Sequence, residues 1–170
     1  MLARTGFTRP SYTEILEKKK LKDKAVKKVV KKVAKKKVKK LTTSQLKKKL
    51  WLIVSPRIKE RDNYICFTSG KKVEGVNAHC GHGLPSSVCG GRLRYHPKNL
   101  HCQSYNENIN LGGNGTVYYQ NQVKNYGQDY VNNLYSLQNE YIKVDTLYYE
   151  KLIDLYKNAT WQEIEDFLER

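Results

Sequence analysis

Apolar residues return at helical spacing in three stretches of this chain, separated by a polar, glycine-rich middle without that period. In "KKKLKDKAVKKVVKKVAKKKVKK" (18–40), Val26, Val29, Val30 and Val33 stand at near-helical intervals among lysines. Lysine self-repulsion and β-branched valines weaken such a helix on its own, so it is expected to fray in solution and to order against a polyanion. Residues 1–17 read as a loosely ordered lead-in. "TTSQLKKKLWLIVSPRIKERD" (42–62) restarts on the capping cluster Thr42, Thr43 and Ser44, and Leu46, Leu50, Ile53 and Val54 then share one helical face. Pro56 predicts that this helix stops there or restarts with the proline in a first turn.

From residue 64 the period changes. "YICFTSGKKVEGV" (64–76) reads as a short strand, a glycine-containing turn and a second strand. Residues 77–103, rich in Gly, Pro, Ser and His, read as a long irregular loop of the kind that carries function. "QSYNENINLGGNG" (103–115) predicts a short helix closed by its glycines. Beyond residue 115 the chain is expected to be helical to its end. Tyr119, Val123, Tyr126, Tyr130, Leu134, Leu137 and Tyr141 keep three-to-four spacing, Gly127 marks a break, and "TWQE" (160–163) is a capping box opening a last helix. A tyrosine stripe at this spacing reads as a packed helix face rather than as platforms for unpaired bases. The class expected is α+β.

Charge divides the chain. Residues 18–49 hold 17 lysines against one acid, Asp23, which accounts for the whole formal excess of +16. This is a basic arm on an electrically balanced body, suited to a polyanionic partner. Lys27, Lys28, Lys31, Lys32, Lys35 and Lys36 are its candidate DNA contacts; a solvated linker is the plainer fate of a lysine run. Membrane is disfavoured, because the apolar stripe is valine-only and no apolar run exceeds "LWLIV". The opening residues lack a signal peptide's apolar segment, which points to a cytoplasmic protein with reduced cysteines.

The four histidines and four cysteines all fall between residues 66 and 102, and "NAHCGHGLPSS" (77–87) holds two of the histidines. As zinc chemistry the cluster is weak: a structural site wants paired ligands, usually Cys-x-x-Cys twice. Here Cys66 is followed by Ser69, and Ser104 and Glu107 stand where a second pair would be, so structural zinc is disfavoured. Phosphodiester chemistry fits better. It needs a base to deprotonate water and a hard divalent cation to neutralise phosphate and leaving oxygen. A hairpin ending at His82, a loop holding Asn99 and a helix carrying Asn108 offer these groups in the order His–Asn–Asn. Arg92, Arg94 and Lys98 share the loop and can hold a phosphate backbone or simply face solvent. His96 reads as a surface residue.

From "SQLKKKLWLIVSPRIKERDNYIC" to about Tyr135 the chain resembles the phage NinG/Rap recombination-protein family, relatives of the HNH or ββα-metal nucleases. The matching residues are a helix leading to "RD" and Cys66, "GH" (81–82), "LRY" (93–95), "NLH" (99–101) with Gln103, Asn108, "GGN" (112–114) and "YG" (126–127). A lysine-rich N-terminal arm is also family-like. The resemblance implies a small hairpin–loop–helix core flanked by helices, and an endonuclease acting on branched or Holliday-junction DNA with Mg²⁺ or Mn²⁺.

Carried across residue by residue, His82 matches the general base, Asn99 the loop asparagine that braces the site, and Asn108 the helix-borne metal ligand. His101 is the family's histidine beside that loop, and His79 is a candidate to supply the metal-binding side chain missing at Gly81. The family's two Cys-x-x-Cys pairs fall on Cys66/Ser69 and Ser104/Glu107, so three of four zinc ligands are replaced. The organisation this implies is a basic arm (1–43), a nuclease core with its leading and following helices (44–135) and a C-terminal helical region (136–170). Action as one copy or as a homodimer stays open. The lost cysteines and the missing acid also permit a non-catalytic DNA-binding protein on a decayed nuclease fold, and the arm alone permits an RNA- or ribosome-binding one.

Overall fold

The computed structural model of the chain describes residues 11–34 and 40–170. Residues 1–40 and 41–170 form two compact units. In the first, helix α1 spans Tyr12–Ala34. It begins inside the segment expected to be loosely ordered. The cause is a reciprocal cap at "SYTE": Glu14 N–H donates to Ser11 Oγ, and Ser11 N–H donates to Glu14 Oε2 at 2.8 Å. Lys27 and Lys28 are exposed on this helix. Lys35 and Lys36 lie outside the described residues, as do the side chains of Lys31 and Lys32.

The second unit is α+β. Helix α2 spans Thr43–Arg61, capped by Thr42 and Gln45 in a reciprocal box. It runs straight through Pro56, where a stop or restart was expected. An interior proline costs about 3 kcal/mol. Burial of Leu46, Leu50, Val54 and Ile58 along one face, worth about 1.5–3 kcal/mol each, outweighs it. Ile58 lies beyond the proline, so the buried stripe ties both halves of the helix to one core.

After α2, Asn63 and Tyr64 adopt left-handed backbone at φ 50° and 56°, which interrupts an extended strand at its first residue. The hairpin expected over 64–76 is thereby reduced to a single bridge between Ile65 and Lys72. The sheet lies later, inside the segment expected to be irregular. Strand β1 (Ala78–His82) pairs antiparallel with β2 (Leu100–Ser104), in register Cys80 with Cys102 and His82 with Leu100. Residues 83–99 form the connection, with a short helix α3 (Gly90–Leu93) in it. A π-helical turn, Asn106–Asn110, follows β2.

Helices α4 (Gly115–Tyr126) and α5 (Gln128–Ser136) meet at Gly127, whose φ of 87° ends one and starts the other. The buried face of α4 is Tyr118 and Gln122, one residue out of step with the expected stripe. Gln122 donates to the Lys98 carbonyl and accepts from Tyr135 Oη. The core face here is partly polar, and a search for apolar spacing skips it. Tyr141 is exposed, and residues 140–145 have no regular structure where continuous helix was expected. Helices α6 (Thr146–Asn158) and α7 (Trp161–Glu169) complete the chain, the latter opened by the Thr160–Glu163 capping box.

The main core joins the α2 stripe to Tyr149, Leu152, Ile153 and Tyr156 of α6, Ile164 and Leu168 of α7, and Cys80 and Leu100 of the sheet. Arg57 fastens α2 to the α6–α7 junction: its guanidinium donates to the carbonyls of Tyr156 and Ala159 and lies 4.5 Å from the Trp161 ring centre. No helix among the described residues is long and apolar enough to cross a membrane.

Candidate active site

Side chains alternate across β1, so Cys80 and His82 face α2 while His79 and Gly81 face the opposite side. His82 ends the strand. Its ring stacks on Trp51 of α2, with centroids 5.4 Å apart and planes 8° from parallel. Its Nε2 lies 3.2 Å from the Arg94 carbonyl oxygen. A carbonyl only accepts, so Nε2 carries the proton and Nδ1 presents the lone pair. Burial, and then the nearby Arg94 charge, pull the His82 imidazole down to about 4, against the opposing effect of the hydrogen bond to the Arg94 carbonyl. The ring is neutral at physiological pH. It borders a cavity of about 610 Å³ that Lys47, Lys48, Trp51, Ser86 and Arg94 also line. Basic side chains, an aromatic plane and a proton acceptor thus share one opening.

Asn99 holds the chain just beyond His82. Its side chain is fully buried; Oδ1 accepts from the Leu84 N–H at 2.8 Å and Nδ2 donates to the Leu93 carbonyl at 3.1 Å. Its own carbonyl accepts from Gly83 N–H and Tyr118 Oη. Asn99 therefore clamps both ends of the loop that carries Arg94, and through Arg94 it fixes the His82 ring. It is a positioning residue with no free group of its own.

On the opposite face of the sheet the structure brings His79 and Asn108 together: Asn108 Nδ2 donates to His79 Nδ1 at 3.2 Å. With its nitrogen so engaged, the Asn108 oxygen turns toward Gly81. Gln103, across from His79 in the ladder, reaches into the space that Gly81 leaves empty. Its buried Oε1 has no hydrogen-bond partner. Among the described residues no three His, Cys, Asp or Glu side chains cluster to hold a metal. The donors at Gly81 are instead neutral amide oxygens. These are hard donors of the type that Mg²⁺ or Mn²⁺ accepts, provided phosphate supplies the negative charge. The residues fit such an ion, and Gln103, which the sequence marked only as a matching residue without a role at the site, is part of the fit. Its signal was its place between "NLH" and Asn108.

His101, across the ladder from Gly81, is engaged with other partners. Its Nδ1 lies 3.2 Å from Asp62 Oδ2 and 2.9 Å from Arg61 Nη2, its Nε2 is 3.0 Å from Tyr126 Oη, and its ring stacks on Phe67. Burial pushes the Asp62 carboxyl up, but hydrogen bonds from His101 and Arg61 and the Arg61 charge outweigh it and hold Asp62 below the usual range. Arg61 also donates to the carbonyls of Pro97 and Leu100. With both nitrogens engaged, His101 belongs to the frame that holds the loop onto α2 rather than to a ligand set.

Of the loop cations, only Arg94 lines the His82 cavity. Arg92 pairs with Glu140 at 3.3 Å, and Lys98 pairs with Glu165 at 2.8 Å while sitting 4.3 Å from the Tyr130 ring centre. Both are held by the protein. Lys47, Lys48 and Trp51 were absent from the residues singled out in the sequence. Nothing in a helix-face reading shows that this side of α2 meets the end of β1. His96, read as a surface residue, is fully buried.

Cys66, Ser69, Ser104 and Glu107 converge at one place on the surface. Cys66 Sγ accepts from the Ser104 N–H at 3.3 Å, Ser104 Oγ accepts from the Glu107 N–H at 3.2 Å, and Ser69, Ser104 and Glu107 line one surface hollow. Burial raises the Cys66 thiol, but hydrogen bonds from Ser69, Thr68 and Ser104 win and bring it down to about 7. Hydrogen bonds bridge the segments here. All four cysteines are buried and unpaired by disulfides.

Comparison with curated proteins and with solved structures finds no match to the chain. The family described as the bacteriophage lambda NinG protein matches residues 7–165, nearly the whole length and all of the site just described. By that match the chain belongs to the bacteriophage lambda NinG protein family.

Proposed function

We propose that this phage recombination-related protein is a metal-dependent DNA endonuclease that acts on branched or Holliday-junction DNA. The observation that carries the reading is the fixed tautomer of His82: its Nε2–H is committed to the Arg94 carbonyl, so Nδ1 is the acceptor, in a cavity edged by Lys47, Lys48 and Arg94. In this reading Nδ1 takes a proton from water attacking phosphorus. The three cations hold the phosphate backbone, and Trp51 keeps the ring in plane. Asn99 and Tyr118 keep the loop closed over the site. A divalent cation, Mg²⁺ or Mn²⁺, would be held by Asn108 on the far side of β1 and would neutralise charge on the phosphate. The exposed lysines of the arm supply sequence-independent affinity. Structural zinc has no place in this reading.

A second reading, a non-catalytic DNA-binding protein on the same fold, draws on the separation of His82 and Asn108 by the strand and on Gly81 standing in place of an acid. Incubation of the full chain with a synthetic four-way junction, with and without Mg²⁺ or Mn²⁺, separates the two. Metal-dependent strand cleavage supports the nuclease. Tight junction binding without cleavage in either metal rejects it and leaves the architectural reading.

A further inference from the structure

We propose that Gln103 is a cation ligand, its Oε1 forming with Asn108 Oδ1 a neutral oxygen pair for a Mg²⁺- or Mn²⁺-class ion beside Gly81. The proposal deepens the nuclease reading and rests on it for its purpose, but not for its test. A Cβ built on Gly81 would come within 1.9 Å of Gln103 Oε1 and 3.1 Å of Asn108 Oδ1. The two oxygens therefore lie within about 5 Å of one another, the most those two separations allow. Both converge on the place where position 81 would put a side chain.

The orientation of Gln103 is set by the protein. Its Nε2 donates to the Gly113 carbonyl at 2.8 Å and lies 3.3 Å from Thr68 Oγ1. Turning the amide over would set two carbonyl oxygens against each other, so Oε1 stays aimed at Gly81. That oxygen is buried without a partner, which is costly in a native fold and points to an occupant. On Asn108 the pattern repeats, with the nitrogen tied to His79 and the oxygen turned inward. Two amides with their nitrogens held elsewhere and their oxygens convergent offer acceptors only, as a cation requires. Asn108 is partly exposed, which gives the pair an opening to solvent. Mg²⁺ is commonly held by one or two carboxylates and completes its shell with water and phosphate; here two amide oxygens would stand in for the carboxylates and leave the negative charge to phosphate. Being neutral, this pair should bind Mn²⁺ weakly alone and more tightly beside DNA phosphate.

The test is Mn²⁺ binding to the full chain, read from the electron paramagnetic resonance of free Mn²⁺, with thermal unfolding as a check on folding. Gln103→Leu and Asn108→Ala should each weaken binding by about tenfold or more. Gly81→Asp alone should destabilise the fold by clashing with Gln103. Combined with Gln103→Ala it should regain stability and bind Mn²⁺ more tightly than the wild type, because a carboxylate then occupies the same spot. Wild-type affinity in folded Gln103→Leu or in folded Asn108→Ala, or in the folded double variant no gain over wild type, overturns the assignment. So does a wild-type chain that binds no Mn²⁺ into the millimolar range, which would make the occupant a buried water. Loss of Mn²⁺ binding in the variants of a wild type that never cleaves DNA supports the ion site while rejecting the nuclease. Cleavage with unaltered Mn²⁺ affinity in Asn108→Ala does the reverse.

Discussion

His96 Nε2 lies 3.1 Å from Glu169 Oε1, and its Nδ1 accepts from the Lys98 N–H at 3.2 Å. The pair spans from the connection between the strands to the last helix. Since Nδ1 is an acceptor, Nε2 is the donor. The hydrogen bond from His96, joined by one from Tyr130 and opposed by partial burial, holds the Glu169 carboxyl down at about 2.

His96→Ala should therefore cost stability, on the order of 1–3 kcal/mol, by emptying the space of a fully buried ring and removing its bonds to Glu169 and the Lys98 N–H. Chemical denaturation measures it. A variant as stable as the parent would return His96 to the surface role its sequence suggested.

His82→Ala is the contrasting change. If His82 is the base, the single-turnover cleavage rate should fall roughly 10²–10⁴-fold, while junction affinity, governed by the arm, stays nearly constant. Cleavage at the parental rate would end the assignment.

The pH profile follows from the same ring. Folded His82 titrates near 4 against an ordinary 6.5, so the unfolded chain binds the extra proton between those values. Its contribution to stability is complete above 6.5 and is lost as pH falls toward 4. For activity, kcat/KM reports the free protein, so its acid limb should lie well below 6.5. A limb centred at 6.5 would show a solvated imidazole rather than this buried one.

Removal of residues 18–40 should weaken DNA binding and flatten its dependence on salt, because each lysine–phosphate contact releases condensed counterions. Residues 41–170 form a compact unit of their own within the chain, so single-turnover cleavage at saturating protein should survive. Binding titrations across a salt series decide this; an unchanged slope would make the arm a linker.

The convergence of Cys66, Ser69, Ser104 and Glu107 predicts that zinc binding can be installed. Elemental analysis of the parent should find no bound zinc. The triple change Ser69→Cys, Ser104→Cys and Glu107→Cys should bind one zinc per chain and raise the unfolding temperature. A triple variant that folds without taking up zinc would show that the four positions do not meet closely enough.

Legibility in the sequence followed the locality of each interaction. The caps at Thr42 and Thr160 were readable because their partners stand three residues away. So was the α2 stripe, since Leu46, Leu50 and Val54 repeat at helical spacing. The sheet was not: Cys80 meets Cys102 across a connection that local alternation cannot bridge. The ordering His82, Asn99, Asn108 was readable as a bare pattern and the resemblance lent it roles, but only the folded chain assigns the partners: Arg94 to His82, Leu84 and Leu93 to Asn99, His79 to Asn108. Lys98 and His96 looked free because their partners, Glu165 and Glu169, lie at the far end of the chain.

The wide separation of β1 from β2 also bears on how the molecule assembles. A two-stranded ladder joined by a tight turn can zip from its closed end, but this one must first bring together segments separated by residues 83–99. The bonds that close the gap, from Asn99 to Leu84 and Leu93, are the same ones that seat Arg94 against His82. Ladder and cavity are therefore expected to form in one cooperative step, late in folding and after α2 has supplied its face. Amide protons of β1 and of the 83–99 connection should exchange with a common opening rate, and a nascent chain would carry no cavity until that step is complete.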